Sequence, residues 1–284
     1  MRLDQTCIDC LLSRVEYECR LCSADSVLKE RTVAACADLI GKLRGSPLSH
    51  PQIASAVHRD AYRILGEADP FAGLKEESNR EALAVCREVR PTLVTFRDYV
   101  LSSIIANTFD YGVLNHHVTT DFSASFRREF SEGLAIDDTD RILARSSRVV
   151  YFTDNCGEIV FDRLLAGFLH ARGSKITLAV RDEPILNDAT MSDAIALGFP
   201  RVVDRLTTTG AGCEIGVRPD LMGEDLWEAM EECTLVVSKG MANFESLYEL
   251  PDLPPVAYLM AVKCEHVAEA AGAPRGSRIA MLRE

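Results

Sequence analysis

Apolar positions along the chain change their period near residue 140. Before that point they recur at helical spacing; after it, short β-branched runs alternate with helical stretches. Leu11, Leu12 and Val15 begin one helix. Val27 to Leu43 predicts a second, with Val33, Ala34, Cys36, Ala37, Leu39 and Ile40 on its apolar side. Ser49-His50-Pro51 starts a third, where proline suits a first helical turn. Phe71-Ala72-Gly73 reads as a break, and Asn79 to Val89 and Thr92 to Ala106 as two more helices.

The stretch from Arg148 to Val180 has a different rhythm. Val149 to Thr153 is β-branched and aromatic without Gly or Pro, so it reads as a short buried strand. Ile159 to Ala171 carries Val160, Phe161, Leu164, Leu165, Phe168 and Leu169 at helical spacing, and Arg172-Gly173 ends it. Lys175 to Val180 reads as a second strand, giving a βαβ unit with a right-handed crossover. Arg201-Val202-Val203, Thr234 to Ser238 and Pro255 to Val262 are read as further strands. Asp137 to Leu143 is read as a short helix or a connector, and Ala189 to Leu197 and Glu224 to Cys233 as helices, the last with the sole tryptophan, Trp227, as a core or half-buried residue. The expected fold is α/β. A mainly helical N-terminal domain over 1–140 precedes a three-layer α/β/α domain over 141–284, with a Rossmann-like, largely parallel sheet.

Composition narrows the function classes. The 284 residues carry a formal charge of −12 and no basic cluster, which argues against nucleic acid and anionic membrane as partners. No apolar run reaches bilayer-spanning length, and Met1 to Asp9 lacks the shape of a signal peptide. Ten scattered cysteines without a secretion signal are read as free thiols in a reducing cytoplasm. Cys7/Cys10 and Cys19/Cys22 are CxxC pairs. Their separation is shorter than zinc-ribbon spacing, and buried helical cysteine is the commoner reading.

Candidate chemistry collects at strand exits. Asp154-Asn155-Cys156-Gly157-Glu158 follows the first strand of the βαβ unit, where open α/β sheets bind ligands. One of these residues would suffice to cap the next helix; an adjacent acid and amide suggest oxygen ligands for a hard cation. A second acid-and-amide loop, Asn187-Asp188-Ala189-Thr190, follows the next strand, although either of its first two residues could equally cap a helix. Lys239 and Lys263 stand at two later strand exits, with Gly240 and Asn243 beside the first. Asn107 and Asp110 end a helix and would line the site if that end faces the strand tips. His116-His117, with no third ligand nearby, is weak evidence for metal. Gly210 to Gly216 lacks the GxGxxG spacing of a dinucleotide loop. Asp154, Asn155 and Asp188 offer oxygens that suit Mg²⁺ or Mn²⁺ better than structural zinc. Lys239, Asn243 and Lys263 would meet phosphoryl oxygens. The chemistry that fits is metal-assisted phosphoester hydrolysis.

At these residues the chain resembles the DUF89 damage-control phosphatases, which include the ARMT1-like metal-binding domain, and within them the small prokaryotic branch. The likeness runs over nearly the whole length. It is carried by Cys7-x-x-Cys10, Asn107-x-x-Asp110, Asp154-Asn155-x-Gly157-Glu158, Asn187-Asp188-Ala189-Thr190, Lys239-Gly240-x-x-Asn243 and Lys263-Cys264-Glu265. The resemblance implies a divalent metal on Asp154, Asn155 and Asp188, with Mn²⁺, Co²⁺ or Ni²⁺ often supporting activity better than Mg²⁺. It implies that substrate phosphate meets Lys239, Asn243 and Lys263. The eukaryotic branches place their next carboxylate where this chain has Ile159, so no role carries over to Glu158. Their Arg-Thr-x-Lys appears here as Met260-Ala261-Val262-Lys263, so only the lysine does.

The leading expectation is thus a metal-dependent phosphomonoester hydrolase acting on small phosphorylated metabolites, sugar phosphates or damaged cofactor intermediates. Two alternatives belong to other classes. An S-adenosylmethionine-dependent carboxyl methyltransferase would need an adenosyl-binding glycine loop, which the first strand lacks. A metal- or metabolite-binding module would bind without turnover.

Overall fold

The computed structural model describes residues 3–109 and 122–284. Helices α1 (Gln5–Leu21), α2 (Ser26–Leu43) and α3 (His50–Leu65) come first, followed by α4 (Ala72–Val89), α5 (Phe96–Ile105) and α6 (Phe122–Glu132). Strand β1 (Ile136–Asp137) and helix α7 (Thr139–Ala144) lead into β2 (Arg148–Phe152), α8 (Glu158–Ala171) and β3 (Lys175–Val180). Then come α9 (Met191–Ala196), β4 (Arg205–Thr208), α10 (Glu224–Glu232), β5 (Leu235–Lys239), α11 (Gly240–Leu247), β6 (Val256–Ala261), α12 (Glu265–Ala271) and β7 (Arg278–Arg283).

Local sequence sets many of these limits. Ser49 and Gln52 close a capping box on α3, and Thr95 and Asp98 do the same for α5. The expected break at Phe71 to Gly73 is instead the start of α4. Phe71 is buried as its N-cap residue and donates its backbone N–H to Asp69. The strand expected at Arg201 to Val203 lies four residues later. Gly198 takes a left-handed φ of 77° and Pro200 lacks a ladder donor, so Phe199–Arg201 forms a 3₁₀ turn before β4. Trp227 is 46% exposed, so it contributes little to the core.

The sheet has the order β1-β7-β6-β5-β2-β3-β4; it is mostly parallel, as expected, with one antiparallel pairing. Strands β4, β3, β2, β5 and β6 run parallel, β7 runs antiparallel to β6, and β1 runs parallel to β7. From β2 the chain winds outward through β3 and β4, then returns to place β5 on the other side of β2. The reversal leaves the carboxyl ends of β2 and β5 side by side, a crevice in which doubly wound sheets take their ligands.

Alternation along β2 separates two cores. Val149 and Tyr151 pack with Phe96, Val100 and Ile104 of α5 and Ile159 and Leu165 of α8. Val150 and Phe152 pack with Leu226 of α10, Phe244 of α11 and Val267 of α12. Helices thus cover both faces. The helices before residue 140 divide between two roles. α5 packs on the sheet and α8, whereas α1, α2 and α3 gather a separate core that Ile185, Leu186 and Ile215 complete.

Candidate active site

The loop after β2 and the loop after β3 are joined by backbone. Cys156 donates its N–H to the carbonyl of Asn187 at 2.8 Å, Ala189 donates to Asp154 at 2.8 Å, and Asn155 and Asp188 form an antiparallel bridge. Asp154 and Asn155 on one loop and Asp188 on the loop after the next strand therefore adjoin. All three are buried. Gly157 turns the first loop into α8 with a φ of 84°, and its N–H is held by Asn79 Oδ1 at 2.7 Å.

Side chains then orient the carboxylates. Asp154 Oδ2 accepts from Asn155 Nδ2 at 2.8 Å and from Asn107 Nδ2 at 3.2 Å. The same Asn107 amide donates to Glu158 Oε2 at 2.5 Å, and the Asn107 backbone carbonyl accepts from Lys263 Nζ at 2.9 Å. Asp188 Oδ2 accepts from Arg181 Nε at 2.5 Å. Arg181 is itself buried and reaches the Gly216 carbonyl and Asn243 Oδ1, so a single guanidinium fixes this acid against two other segments. Asn187 Nδ2 is buried with no hydrogen-bond partner, an unanswered donor within the second loop.

A second layer lies beneath. Lys239 is completely buried and donates to Glu158 Oε1 at 2.6 Å, Asp162 Oδ1 at 2.5 Å and Ser103 Oγ at 2.6 Å. Ser103 and Tyr151 hydroxyls also donate to Asp162 Oδ1. Burial opposes the charge on Lys239, but Asp162 and Glu158 together outweigh it and hold its pKa above the usual lysine value. Burial pushes the Glu158 carboxyl up; Lys239 pulls it back, and Asp162 raises it further. Two acids facing one ammonium in a dry place favour keeping an extra proton, which accounts for the direction at Glu158.

The sequence-derived candidates therefore divide. Asp154, Asn155, Asp188, Asn107 and Lys263 share one connected set of loops. Gly240 lies against Asp154. Lys239 and Asn243, expected beside substrate, have their polar groups turned into the protein: Asn243 Nδ2 donates to the carbonyls of Thr153 and Lys239 at 3.0 and 2.7 Å. Asp110 and the His116-His117 pair lie outside the described residues. Sequence reasoning did not single out Asp162, Arg181 or Ser103. Glu158 and Asp162 are four apart on one helix, and that i,i+4 acid pair was the available signal.

Gly240, whose φ is +74°, backs onto the Asp154 carboxylate. A Cβ added there would lie 2.0 Å from Asp154 Oδ2 and 2.8 Å from Oδ1. The glycine thus makes the room that the Asp154 carboxylate occupies. With two carboxylates and one amide oxygen on adjoining loops, and no sulfur or imidazole among them, the set fits a hard divalent ion. Gly240→Ala is expected to push Asp154 aside and to lower kcat/KM by about a hundredfold, as misplacement by about 1 Å does. Steady-state kinetics alongside a thermal melt would separate this from unfolding.

Comparison with known proteins gives consistent relationships. Residues 3–279 match the damage-control phosphatase ARMT1-like domain. A damage-control phosphatase of Archaeoglobus fulgidus is 39% identical over 290 residues, covering 100% of both chains. One from Pyrococcus horikoshii is 26% identical over 286 residues, covering 99% of this chain and 98% of its own. The crystal structure of a DUF89 family protein from Pyrococcus horikoshii superposes with a TM-score of 0.91 at 26% identity, over 100% of each chain.

Proposed function

This chain belongs to the ARMT1-like damage-control phosphatase family, and from that premise we propose that it is a divalent-metal-dependent phosphomonoesterase acting on small phosphorylated metabolites. The observation that carries the reading is the backbone pairing of the two acid-and-amide loops, which brings Asp154, Asn155 and Asp188 together beside the switch point of the sheet. Asp154, Asn155 and Asp188 would hold the ion. Once bound there, a divalent cation supplies electrophilic activation of a phosphoryl group.

The remaining chemistry belongs to the chain. Lys263 brings a cationic head beside Asn107 and neutralises phosphoryl oxygens. Asn107 holds Asp154 and Glu158 in fixed relation, and Arg181 does the same for Asp188. Lys239 works from below, keeping Glu158 and Asp162 in place under the loop. Among the described residues no helix is long and apolar enough to cross a membrane. A small, freely diffusing phosphoester is the substrate class proposed.

The test is a panel of phosphorylated metabolites run separately with Mn²⁺, Co²⁺, Ni²⁺ and Mg²⁺, reading phosphate release. Turnover that disappears on chelation and returns with a cation supports the proposal. Absence of phosphate release across the panel, in protein that binds the ions, would overturn it. Lys263→Ala is expected to raise KM by roughly tenfold or more, the worth of one charge-assisted hydrogen bond, with a smaller fall in kcat. Initial rates over a range of substrate concentrations would check that division.

A further inference from the structure

A second cluster of metal-binding side chains lies where the first helix meets the last. Asp4 caps α1, its Oδ1 accepting from the Cys7 N–H at 2.9 Å. Its other oxygen lies 3.3 Å from His266 Nε2, and His266 Nδ1 lies 4.0 Å from Cys7 Sγ. One oxygen, one sulfur and one imidazole nitrogen of these residues fall within 4.8 Å of one another. Among the described residues this is the one group of three or more His, Cys, Asp or Glu side chains so placed.

Two further thiols flank it. Cys10 is three residues along α1 from Cys7, hence on the same face. Cys264 is the N-cap residue of α12, two residues before His266, and neither Cys10 nor Cys264 falls within that 4.8 Å group. None of these cysteines is in a disulfide. We propose that Cys7 and His266 bind a zinc-class divalent cation that ties α1 to α12, with Asp4 orienting the imidazole and the Cys10 and Cys264 thiols turning in to complete the set.

The geometry fits that assignment. At a tetrahedral angle, zinc bonds of about 2.3 Å to sulfur and about 2.0 Å to nitrogen place the two ligand atoms about 3.5 Å apart, so a shift of about half an ångström brings Cys7 Sγ and His266 Nδ1, now 4.0 Å apart, onto one ion. An Asp4 carboxylate on Nε2 leaves Nδ1 as the lone-pair nitrogen, the arrangement by which ligating histidines are held. Sulfur and imidazole select a softer cation than the oxygens of Asp154, Asn155 and Asp188 do, so the two sites differ in preference.

The experiment uses the full chain. Zinc content of protein purified without added metal is expected at about one equivalent retained after mild chelation, and Co²⁺ loading is expected to give a near-ultraviolet sulfur-to-cobalt charge-transfer band. Cys7→Ser and His266→Gln should each lose the zinc and weaken the band, while Asp154→Ala keeps both. Should either variant fail to fold, zinc protection of thiols from an aromatic disulfide reagent in the native protein reads the same site. A Co²⁺ spectrum without a sulfur band, zinc content unchanged in Cys7→Ser, or a Cys7–Cys10 disulfide in the purified protein would overturn the proposal.

Discussion

Asp154→Ala is expected to remove phosphatase turnover while leaving the fold intact. The carboxylate is one of two acidic donors in the proposed ion site, and ion-assisted stabilisation of a phosphoryl transition state is worth several kcal/mol. A loss of about 4 kcal/mol corresponds to about a thousandfold in rate. The structural cost is smaller. Asn155 and Asn107 each lose an acceptor on Asp154 Oδ2, at about 1–3 kcal/mol for donors left unanswered, and water entering the vacated volume would reduce it. Asp154→Asn sharpens the test, since it keeps the volume and an oxygen but drops the charge. Turnover of a chromogenic phosphate ester, with circular dichroism melts of both variants, separates the two effects. Retention of wild-type turnover by either variant would sink the metal-dependent scheme.

Lys239→Met is expected to have the largest effect on stability, about 3–5 kcal/mol, because it leaves carboxylates buried without their cation. Lys239, Glu158 and Asp162 are all fully buried, so solvent screens none of them. The sign of the pH dependence follows from Glu158. Its folded pKa lies above the ordinary carboxyl value, so its contribution to stability is present at low pH and is lost as pH rises through the folded value. Removing Lys239 takes away the main influence lowering that pKa and widens the window. The variant should therefore melt closer to wild type at about pH 5.5 than at about pH 8. Adding Glu158→Gln should recover part of the loss. Urea titrations at both pH values would measure this, and equal losses at the two would show that charge is not the cause.

Much of the sheet was legible because buried parallel strands are written as unbroken β-branched runs. The strand expected from Lys175 to Val180 has those limits, and the one expected from Val149 to Thr153 is displaced by one residue at each end. The start of α5 was less legible: the helix expected from Thr92 begins at Phe96, after the Thr95 and Asp98 capping box. β7 was not legible, because an antiparallel strand with arginine at both ends, Arg278 and Arg283, lacks the signature of a buried parallel strand. β1 is two residues long and exists only through its partner. At the site, acid and amide types at strand exits were readable from spacing. What Lys239 touches was not: its partners come from α5 and α8, and only the folded packing brings Ser103, Glu158 and Asp162 to it. A lysine after an apolar run reads the same whether it meets a ligand or two buried acids. Arg181 was hidden likewise, since the acid that neutralises it is seven residues on while its other partners lie beyond residue 210.

The reversal of winding between β2 and β5 has a consequence for biosynthesis. The crevice lies between β2 and β5, strands written some eighty residues apart, so a nascent chain emerging from the ribosome holds only one wall of it until β5 and Gly240 have been translated. Truncated or stalled products are therefore expected to be inert however well their first βαβ unit folds, and a split of the gene between β4 and α10 should yield two fragments that regain activity only on reassociation.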